Sequence, residues 1–292
     1  MAALHGRSAI VAGGSRGAGA GVARALGSAG ATVYVTGRTV RGGQPPLDGA
    51  AGTVDDTAAE VTRRGGCGIA APCDHTDDAQ VEGLFARVQQ EQGRLDLLVN
   101  AVWGGNELPS LQADWGRPCW QQQQGPAAGW EAMFTAGVRP ALIASYHAAR
   151  LMAAQGSGLV VNVTYAFPGD KAGTYLGHLL YDLAKVSLSR LAFGLAEELR
   201  PHGAAALALS PGHMRTERVL QHFGTDEQHW QEEPGLAGSE SPEYLGRAVA
   251  ALAADPNVLR RSGQVLLVGE LARQYGFTDI DGTQPPPFVP PL

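Results

Sequence analysis

The chain has 292 residues, of which 44% are hydrophobic and 17% charged, and its formal net charge is −6. The hydrophobic share is enough for a sizeable core, whereas an acidic chain without a basic cluster does not fit a general nucleic-acid or anionic-membrane binder. The three cysteines, Cys67, Cys73 and Cys119, give no disulfide framework. A cytoplasmic protein is expected, because the sequence has neither an apolar leader nor an uninterrupted apolar stretch of about 18 residues.

Short apolar runs alternate with longer amphipathic segments along the chain. The predicted strands are 8–12, 32–36, 68–72, 95–100, 159–163, 205–209 and 264–268, and the predicted helices are 17–28, 55–64, 77–92, 130–154, 175–200 and 242–254. Strands that are apolar on both faces and separated by helices predict a parallel sheet covered on both sides. The expected fold is a single α/β domain over residues 1–284, a Rossmann-type doubly wound parallel sheet of about seven strands.

Three segments fall outside this alternation. Residues 40–52 form a loop rich in glycine and proline, and residues 103–129 form a long insertion that contains Trp103, Trp115 and Trp120. These tryptophans either wall a pocket for an aromatic substrate or pack the insertion onto the domain. Residues 285–292 form a proline-rich tail, which we expect to be extended.

A glycine-rich turn follows the first predicted strand and opens the first predicted helix, with the sequence Gly13-Gly14-Ser15-Arg16-Gly17-Ala18-Gly19. Gly13 permits a tight turn, Gly17 lets the backbone approach a phosphate, and Gly19 lets the helix lie close to the strand. The N–H groups and the partial positive charge of the helix N-terminus then attract a pyrophosphate. The alternative is an ordinary glycine-rich connection without a ligand.

The spacing G-x-x-x-G-x-G resembles the glycine motif of the classical short-chain dehydrogenase/reductase family. Other family elements follow in order over nearly the whole chain: Asp74, Leu97-Leu98-Val99-Asn100, Tyr181-x-x-x-Lys185 and Pro211-Gly212-His213-Met214-Arg215-Thr216. Residues 255–282 are similar to the subgroup named after dehydrogenase/reductase family member 1. The resemblance implies an oxidoreductase with a nicotinamide cofactor, a mobile substrate loop over residues 217–241, and a homodimer or homotetramer formed through two long helices.

The end of the second predicted strand favours the phosphorylated cofactor, NADP(H). Its residues Thr36-Gly37-Arg38-Thr39 include no carboxylate to accept from the ribose hydroxyls of NAD(H). Arg38 can pair with a 2′-phosphate and Arg16 can add a second charge, unless both are simply solvated. The resemblance implies that Asp74 contacts the adenine amine, with a helix N-cap as the alternative. The predicted cofactor-binding residues are Gly13, Ser15, Arg16, Gly17, Ala18, Gly19, Arg38, Thr39, Asp74, His75, Asn100, Ala101, Tyr181, Lys185, Pro211, Gly212, Met214 and Thr216, and no metal is expected.

Tyr181 and Lys185 are four residues apart on one predicted helix and therefore share a face. A free tyrosine has a pKa near 10 and is a poor acid–base group at neutral pH. A nearby ammonium stabilises the phenolate and lowers this pKa, so that the tyrosine can exchange a proton with a carbonyl oxygen. By the resemblance, Lys185 also holds the hydroxyls of the nicotinamide ribose.

Two helpers of this pair depart from the family pattern. The usual catalytic serine aligns with Tyr165, and Thr164 precedes it, so that either hydroxyl is a candidate donor to the substrate oxygen. The usual asparagine aligns with Thr135, where Gly137 and Pro140 also weaken the helix. After Asn100, the family's glycine is replaced by Trp103, which changes the floor of the site.

Together these features predict an NADP(H)-dependent oxidoreductase that interconverts a ketone or aldehyde and an alcohol, without nucleic-acid or membrane partners. Two alternatives stay open: a family member that binds NADP(H) but catalyses a non-redox step such as cyclisation, and a non-enzymatic nucleotide-binding protein. His178 is either an additional proton relay or a solvated histidine at the start of a helix. His213 is expected near the nicotinamide through its backbone, and His222 and His229 lack a convincing third metal ligand.

Overall fold

One parallel sheet organises the molecule, which we describe from a computed structural model covering residues 3–44, 49–108, 110–169 and 173–288. The strands are β1 Ser8–Ala12, β2 Thr32–Gly37, β3 Cys67–Pro72, β4 Leu97–Asn100, β5 Gly158–Val163, β6 Ala204–Ser210 and β7 Val265–Leu267. Among the described residues their order is β3-β2-β1-β4-β5-β6-β7, and every pair is parallel. The predicted fold class is confirmed.

Helices cover both faces of the sheet. They are α1 Gly17–Ser28, α2 Val54–Arg63, α3 Asp78–Gln92, α4 Pro126–Trp130, α5 Arg139–Gln155, α6 Leu179–Leu199, α7 Glu217–Phe223, α8 Pro242–Ala254 and α9 Val268–Tyr275. One core lies between the sheet and α1, α2, α8 and α9, and a second core lies between the sheet and α3, α5 and α6. Strands such as β1, buried at all five positions, are apolar on both faces because both faces are covered.

The sheet positions a site where its strand order reverses. β1 pairs with β2 on one side and with β4 on the other. The strands β2 and β3 therefore extend the sheet to one edge, and the strands from β4 to β7 extend it to the opposite edge. The carboxyl ends of all parallel strands lie at one edge, and ligands bind in the crevice at such a switch point. The glycine-rich turn lies at this crevice because it directly follows β1.

The long helix predicted over residues 130–154 is one continuous helical stretch, but its first part has a different geometry. It consists of α4, a π-helical segment Glu131–Val138, and α5. Pro140 has no N–H to donate to the Ala136 carbonyl four residues earlier, and this carbonyl accepts a hydrogen bond from the Gly104 N–H at 3.0 Å. The insertion is therefore tied to the helix where the proline loosens it.

The helix predicted from residue 175 begins at Leu179 instead, because His178 caps it. The His178 Nδ1 accepts a hydrogen bond from the Tyr181 N–H at 3.3 Å. His178 is 2% exposed, so the alternative of a solvated histidine is wrong. Gly177 precedes it with a positive φ of 86° and turns the chain into the helix.

The C-terminal region contains α9, which the sequence pattern did not predict, and the beginning of the proline-rich tail. A side-chain carbon on Gly269 of α9 would lie 2.5 Å from the Pro287 nitrogen, so the tail packs closely on this helix. The Phe288 ring stacks on Phe167 at 5.9 Å between centroids. Residues 285–288 thus lie against the domain, and residues 289–292 of the predicted tail lie outside the described residues.

Candidate active site

A cleft of about 460 Å³ opens at the carboxyl edge of the sheet. It brings together the glycine-rich turn, the end of β2, the Tyr181–Lys185 pair and the segment after β6. The predicted residues that line it are Gly13, Ser15, Arg16, Gly17, Ala18, Arg38, Thr39, Asp74, His75, Ala101, Thr164, Tyr165, Tyr181, Lys185, Pro211, Gly212, Met214 and Thr216.

The glycine-rich turn has the close contacts that its sequence predicts. Gly13 has a φ of 81°, and a side-chain carbon on it would lie 2.8 Å from the Ala101 backbone. Gly17 has a φ of 53°. A side-chain carbon on Gly19 would lie 2.1 Å from the Gly13 carbonyl oxygen, so Gly19 serves the packing of helix on turn and does not itself line the cleft. The N–H groups of Gly13 and Gly14 donate to the Thr36 carbonyl at 3.1 and 2.8 Å, which holds the turn against the end of β2.

A carboxylate already lies at the N-terminus of α1. The Gly17 N–H donates a hydrogen bond to Glu217 Oε2 at 2.9 Å. Glu217 is the first residue of α7, and Thr216, its N-cap, accepts from the Val219 N–H. An anion is stabilised at this helix end by the orphan N–H groups and the helix dipole.

Arg38, just after β2, is one of the cationic residues that line the cleft. Its guanidinium pairs with the Glu107 carboxylate of the short turn Gly105–Glu107, and half of its side chain is exposed. Arg218 of α7 donates to the Asn106 carbonyl at 2.7 Å, which links α7 to the same turn. Arg16 lies in the cleft wall. The insertion and α7 thus meet across the mouth of the cleft.

Asp74 and His75, which follow β3, differ in what they offer to a ligand. Asp74 Oδ1 accepts hydrogen bonds from the N–H and hydroxyl of Thr76, and the helix N-cap is Asp77, not Asp74. The His75 imidazole is 3% exposed and hydrogen-bonds Thr36 Oγ1 at 2.6 Å. Burial lowers the pKa of His75 to about 4, so the ring is neutral at neutral pH.

Tyr181 and Lys185 project from α6 into a group of aromatic rings. The Tyr181 ring centroid lies 5.4 Å from that of Trp103 and 5.1 Å from that of Trp115, both edge-on. The Lys185 Nζ lies 5.4 Å from the Tyr181 ring centroid. Burial raises the pKa of Tyr181 and lowers the pKa of Lys185 to about 7. The insertion therefore encloses the predicted acid–base group, and of its three tryptophans only Trp120, 80% exposed, stays away from the cleft wall.

The two candidate hydroxyls after β5 have different surroundings. Thr164 Oγ1 donates to the Lys185 carbonyl oxygen at 2.6 Å and lies 3.1 Å from Ser189 Oγ, and the residue is 1% exposed. Tyr165 is half-buried in the cleft wall, with its ring centroid 6.5 Å from that of Tyr181. Burial is the main cause that raises the pKa of Tyr165, and the nearby Glu240 carboxylate raises it further. Thr164 thus connects β5 to α6, whereas Tyr165 faces the cleft.

Besides Gly19, two predicted residues, Asn100 and Thr135, lie beside the cleft without lining it. The Asn100 side chain donates to Asn162 Oδ1 at 2.8 Å and Ser145 Oγ at 3.0 Å, beneath the strand ends. Asn100 is 4% exposed, and its amide nitrogen is engaged by these two contacts. Thr135 lies in the π-helical segment, where its neighbour Ala136 reaches the cleft instead.

The segment after β6 forms the base of the predicted substrate loop. A short parallel bridge joins Met214 to Glu240, with the Arg215 N–H donating to the Glu240 carbonyl at 2.9 Å. The buried Arg215 guanidinium contacts Glu227, the Ser239 carbonyl and Asp279, and it lies 4.2 Å from the Trp230 ring centroid. Arg215 therefore fastens both ends of the loop to the C-terminal region.

Sequence reasoning missed four residues of this region: Glu107, Glu217, Arg215 as an anchor, and the buried Glu240. Each acts through a partner more than ten residues away, so no local spacing marks it. Burial raises the pKa of Glu240 to about 8. The histidines give no site: His229 Nδ1 lies 2.7 Å from Asp226, His222 packs edge-on against Phe223, and the described residues contain no cluster of three or more metal-ligating side chains.

Among the helices of the described residues, none combines the length and apolar character that crossing a membrane requires.

Comparison with known proteins finds relatives over nearly the whole chain. A family model described as enoyl-(acyl carrier protein) reductase matches residues 12–269. Dehydrogenase/reductase SDR family member 1 of Mus musculus is 37% identical over 288 residues, which cover 97% of this chain and 86% of that protein. The Homo sapiens protein of the same name is 36% identical over 287 residues, which cover 96% and 85%.

Solved structures share the fold at lower identity. A short-chain dehydrogenase from Mycobacterium thermoresistibile superposes with a TM-score of 0.76 at 24% identity, covering 97% of this chain and 92% of that one. A metagenomic short-chain oxidoreductase in complex with NADP gives a TM-score of 0.63 at 24% identity, covering 88% and 94%. Together with the matched family model and the mammalian relatives, these findings mean that the chain belongs to the short-chain dehydrogenase/reductase family of oxidoreductases, in the subgroup of dehydrogenase/reductase SDR family member 1.

Proposed function

We propose that the chain is an NADP(H)-dependent oxidoreductase that interconverts a ketone or aldehyde and an alcohol by hydride transfer. The observation that carries this proposal is that Tyr181 and Lys185 share one cleft with the glycine-rich turn and with Arg16 and Arg38. A phosphate-binding backbone, cations for a further phosphate and an acid–base pair are the groups that such a reaction requires.

The fit of the residues to NADP(H) rests on two anion positions. The pyrophosphate is assigned to the N-terminus of α1, where the Glu217 carboxylate now accepts from the Gly17 N–H. The 2′-phosphate is assigned to Arg38, whose guanidinium already holds a carboxylate, and to Arg16. Further proposed contacts are Ser15, Ala18, Thr39, Asp74, Ala101, Pro211, Gly212, Met214 and Thr216, all of which line the cleft.

The nicotinamide ring of NADP(H) supplies or accepts the hydride. In the proposed reduction the Tyr181 hydroxyl donates a proton to the carbonyl oxygen, and in the oxidation it takes the proton back. Burial alone opposes the phenolate, since it raises the pKa of Tyr181. A charged Lys185 ammonium beside the ring acts in the other direction and stabilises the phenolate.

Tyr165 is the proposed donor to the substrate oxygen, in place of the family's serine. It lines the cleft near Tyr181, whereas the Thr164 hydroxyl is already used by the Lys185 carbonyl. Losing one such donor commonly lowers the reaction rate by about 10²–10³. The rate of this site therefore depends on how well the Tyr165 phenol replaces the serine hydroxyl. Thr135 has no proposed contact with the substrate.

The test is reduction of a panel of aromatic and aliphatic ketones and aldehydes at saturating NADPH, followed by the loss of reduced-cofactor absorbance. We expect turnover on at least one carbonyl and its abolition in Tyr181→Phe. The matched control is Tyr175→Phe, because Tyr175 precedes the same helix, is 57% exposed and does not line the cleft. Tight NADPH binding without turnover on any carbonyl would favour a non-redox step such as cyclisation, or a nucleotide-binding protein.

The proposed assembly is a homodimer or homotetramer through α5 and α6. Large apolar side chains on these helices are exposed in the single chain: Leu142, Tyr146, Leu183, Val186 and Phe193 are 39–54% exposed. A cytoplasmic location is proposed on the three cysteines, which are unpaired. The remaining partner is a small carbonyl or alcohol substrate.

A further inference from the structure

The Trp103 indole lies in a narrow slot between Gly105 and Gly137. A side-chain carbon on Gly105 would lie 2.6 Å from the indole Cε2, and one on Gly137 would lie 3.2 Å from Cε3. The adjoining Gly104 N–H is bonded to the Ala136 carbonyl, in the stretch that Pro140 loosens. Two glycines and one backbone contact therefore fix the ring against the π-helical segment.

The slot presents the face of the ring to Lys185. The Lys185 Nζ lies 3.8 Å from the Trp103 ring centroid, well inside the distance of about 6 Å at which an ammonium is attracted to an indole. Trp103 also meets the Tyr181 ring edge-on, at 5.4 Å and 84°. One indole thus contacts both members of the proposed acid–base pair.

We propose that Trp103 is a positioning residue that holds the Lys185 side chain and stabilises its charged form beside Tyr181. The inference rests on the proposed role of Lys185 in that function. It gives a reason for the tryptophan in a site where Thr135 replaces the family's asparagine, because a buried ammonium without a polar partner tends to lose its proton. The ring face uses one side of the ammonium and leaves N–H groups for a ribose hydroxyl.

The other groups around Lys185 do not provide a counter-charge. Among the described residues, no carboxylate forms an ion pair with Nζ, and the low pKa of Lys185 follows from burial. Titratable side chains on the surrounding elements include Tyr181 and Asp182 on α6, His178 at its N-cap, Tyr165 after β5, His213 after β6, and Glu240 before α8. The Asp182 carboxylate accepts a hydrogen bond from the Leu176 N–H at 3.1 Å. Glu240 interacts with Tyr165, while burial keeps its pKa near 8 and favours its neutral form. Of the Trp103 and Tyr181 rings near Nζ, the Trp103 indole is the nearer, at 3.8 Å from its centroid against 5.4 Å for Tyr181, and we assign the stabilisation of the ammonium to it.

The protonation of Lys185 can be read without any turnover. The chain has two lysines, Lys171 and Lys185, so protein labelled with ¹³C at lysine Cε gives two side-chain signals whose shifts follow Nζ protonation. Lys171→Arg assigns them. We expect Trp103→Leu to lower the Lys185 midpoint by about one pH unit, because a desolvated cation–π contact has this order of strength. Trp103→Phe should lower it less, and Trp120→Leu, at an 80% exposed position, should leave it unchanged.

A second series guards against a misfolded Trp103 variant. Incorporation of increasingly fluorinated tryptophan keeps the ring shape and weakens its negative face, so the Lys185 midpoint should fall stepwise. A midpoint that stays constant in Trp103→Leu and along this series would overturn the inference. If the Lys185 midpoint shifts but the protein reduces no carbonyl, the inferred role of Trp103 is supported and the proposed function is rejected.

Discussion

The Glu217 carboxylate accepts a hydrogen bond from the Gly17 N–H at 2.9 Å, at the first residue of α1. It occupies the place that we assign to the cofactor pyrophosphate. A pyrophosphate at this helix N-terminus competes with the Glu217 carboxylate for the same N–H group, so we expect cofactor binding to displace the Glu217 side chain. Because Glu217 is the first residue of α7, this exchange is expected to couple cofactor binding to the substrate loop.

Glu217→Gln should therefore tighten NADPH binding. A carboxylate at a helix N-terminus is stabilised by about 0.3–1 kcal/mol, so removing the competing charge should lower the dissociation constant by about two- to five-fold. Titration of NADPH fluorescence measures this change. Glu232→Gln is the matched control, since Glu232 is an exposed acid of the same loop. An unchanged or weaker affinity in Glu217→Gln alone would contradict the assignment of the pyrophosphate.

Arg38→Ala should weaken NADPH binding much more than NADH binding. A charge-assisted hydrogen bond contributes about 1.5–3 kcal/mol, which corresponds to about ten- to hundred-fold in affinity. The same titrations with both cofactors give the ratio directly. Glu107→Gln should move the ratio the other way, because Glu107 now holds the Arg38 guanidinium. Equal losses for both cofactors would show that Arg38 does not recognise a phosphate.

Arg215→Met should destabilise the fold by about 3–5 kcal/mol, because it removes the cationic partner of the buried Asp279 carboxylate. Both side chains of this ion pair are 0% exposed. Urea denaturation measures the free energy of unfolding. Arg200→Met, in an ion pair with half-exposed side chains, should change it by less than about 1 kcal/mol. Equal effects of the two substitutions would refute the anchoring role of Arg215.

Glu240 should make the stability of the protein depend on pH. Burial raises its pKa from 4.5 to about 8, so the neutral carboxyl is favoured in the folded state. The associated stability is complete below the unfolded pKa, decreases as the pH rises from 4.5, and is lost above about 8. The unfolding free energy of the unsubstituted protein minus that of Glu240→Gln should therefore fall across this window. A difference that stays flat would contradict a buried, protonated Glu240.

The sheet and the glycine-rich turn were predictable because their signals are local. The apolar runs matched all seven strands to within two residues at each end, and the spacing from Gly13 to Gly19 marked the cofactor side of the cleft. The sequence pattern predicts the start of α6 four residues early, because the cap is a histidine, which is not among the usual N-cap residues. The π-helical segment was visible only as a weakness at Gly137 and Pro140.

The contacts across the cleft were not predictable from spacing. Trp103 and Lys185 are separated by the rest of the insertion, by the helical stretch that ends with α5, and by β5. Their 3.8 Å contact depends on the slot formed by Gly105 and Gly137. Glu217 meets Gly17 across 200 residues of chain. Such pairs follow from the packing of loops on the finished sheet, and a single sequence carries no period or motif for them.

Hydride transfer from NADPH to a carbonyl, with Tyr181 as the proton donor, can be followed with an isotope label. NADPH carrying deuterium at the transferred position is incubated with the carbonyl panel, and the alcohol products are analysed by mass spectrometry. We expect a product with deuterium at its carbinol carbon, formed by the unsubstituted protein and by Tyr175→Phe but not by Tyr181→Phe, which should still bind NADPH. Absence of a deuterated alcohol from every carbonyl, or its formation by Tyr181→Phe at the unsubstituted rate, would contradict it.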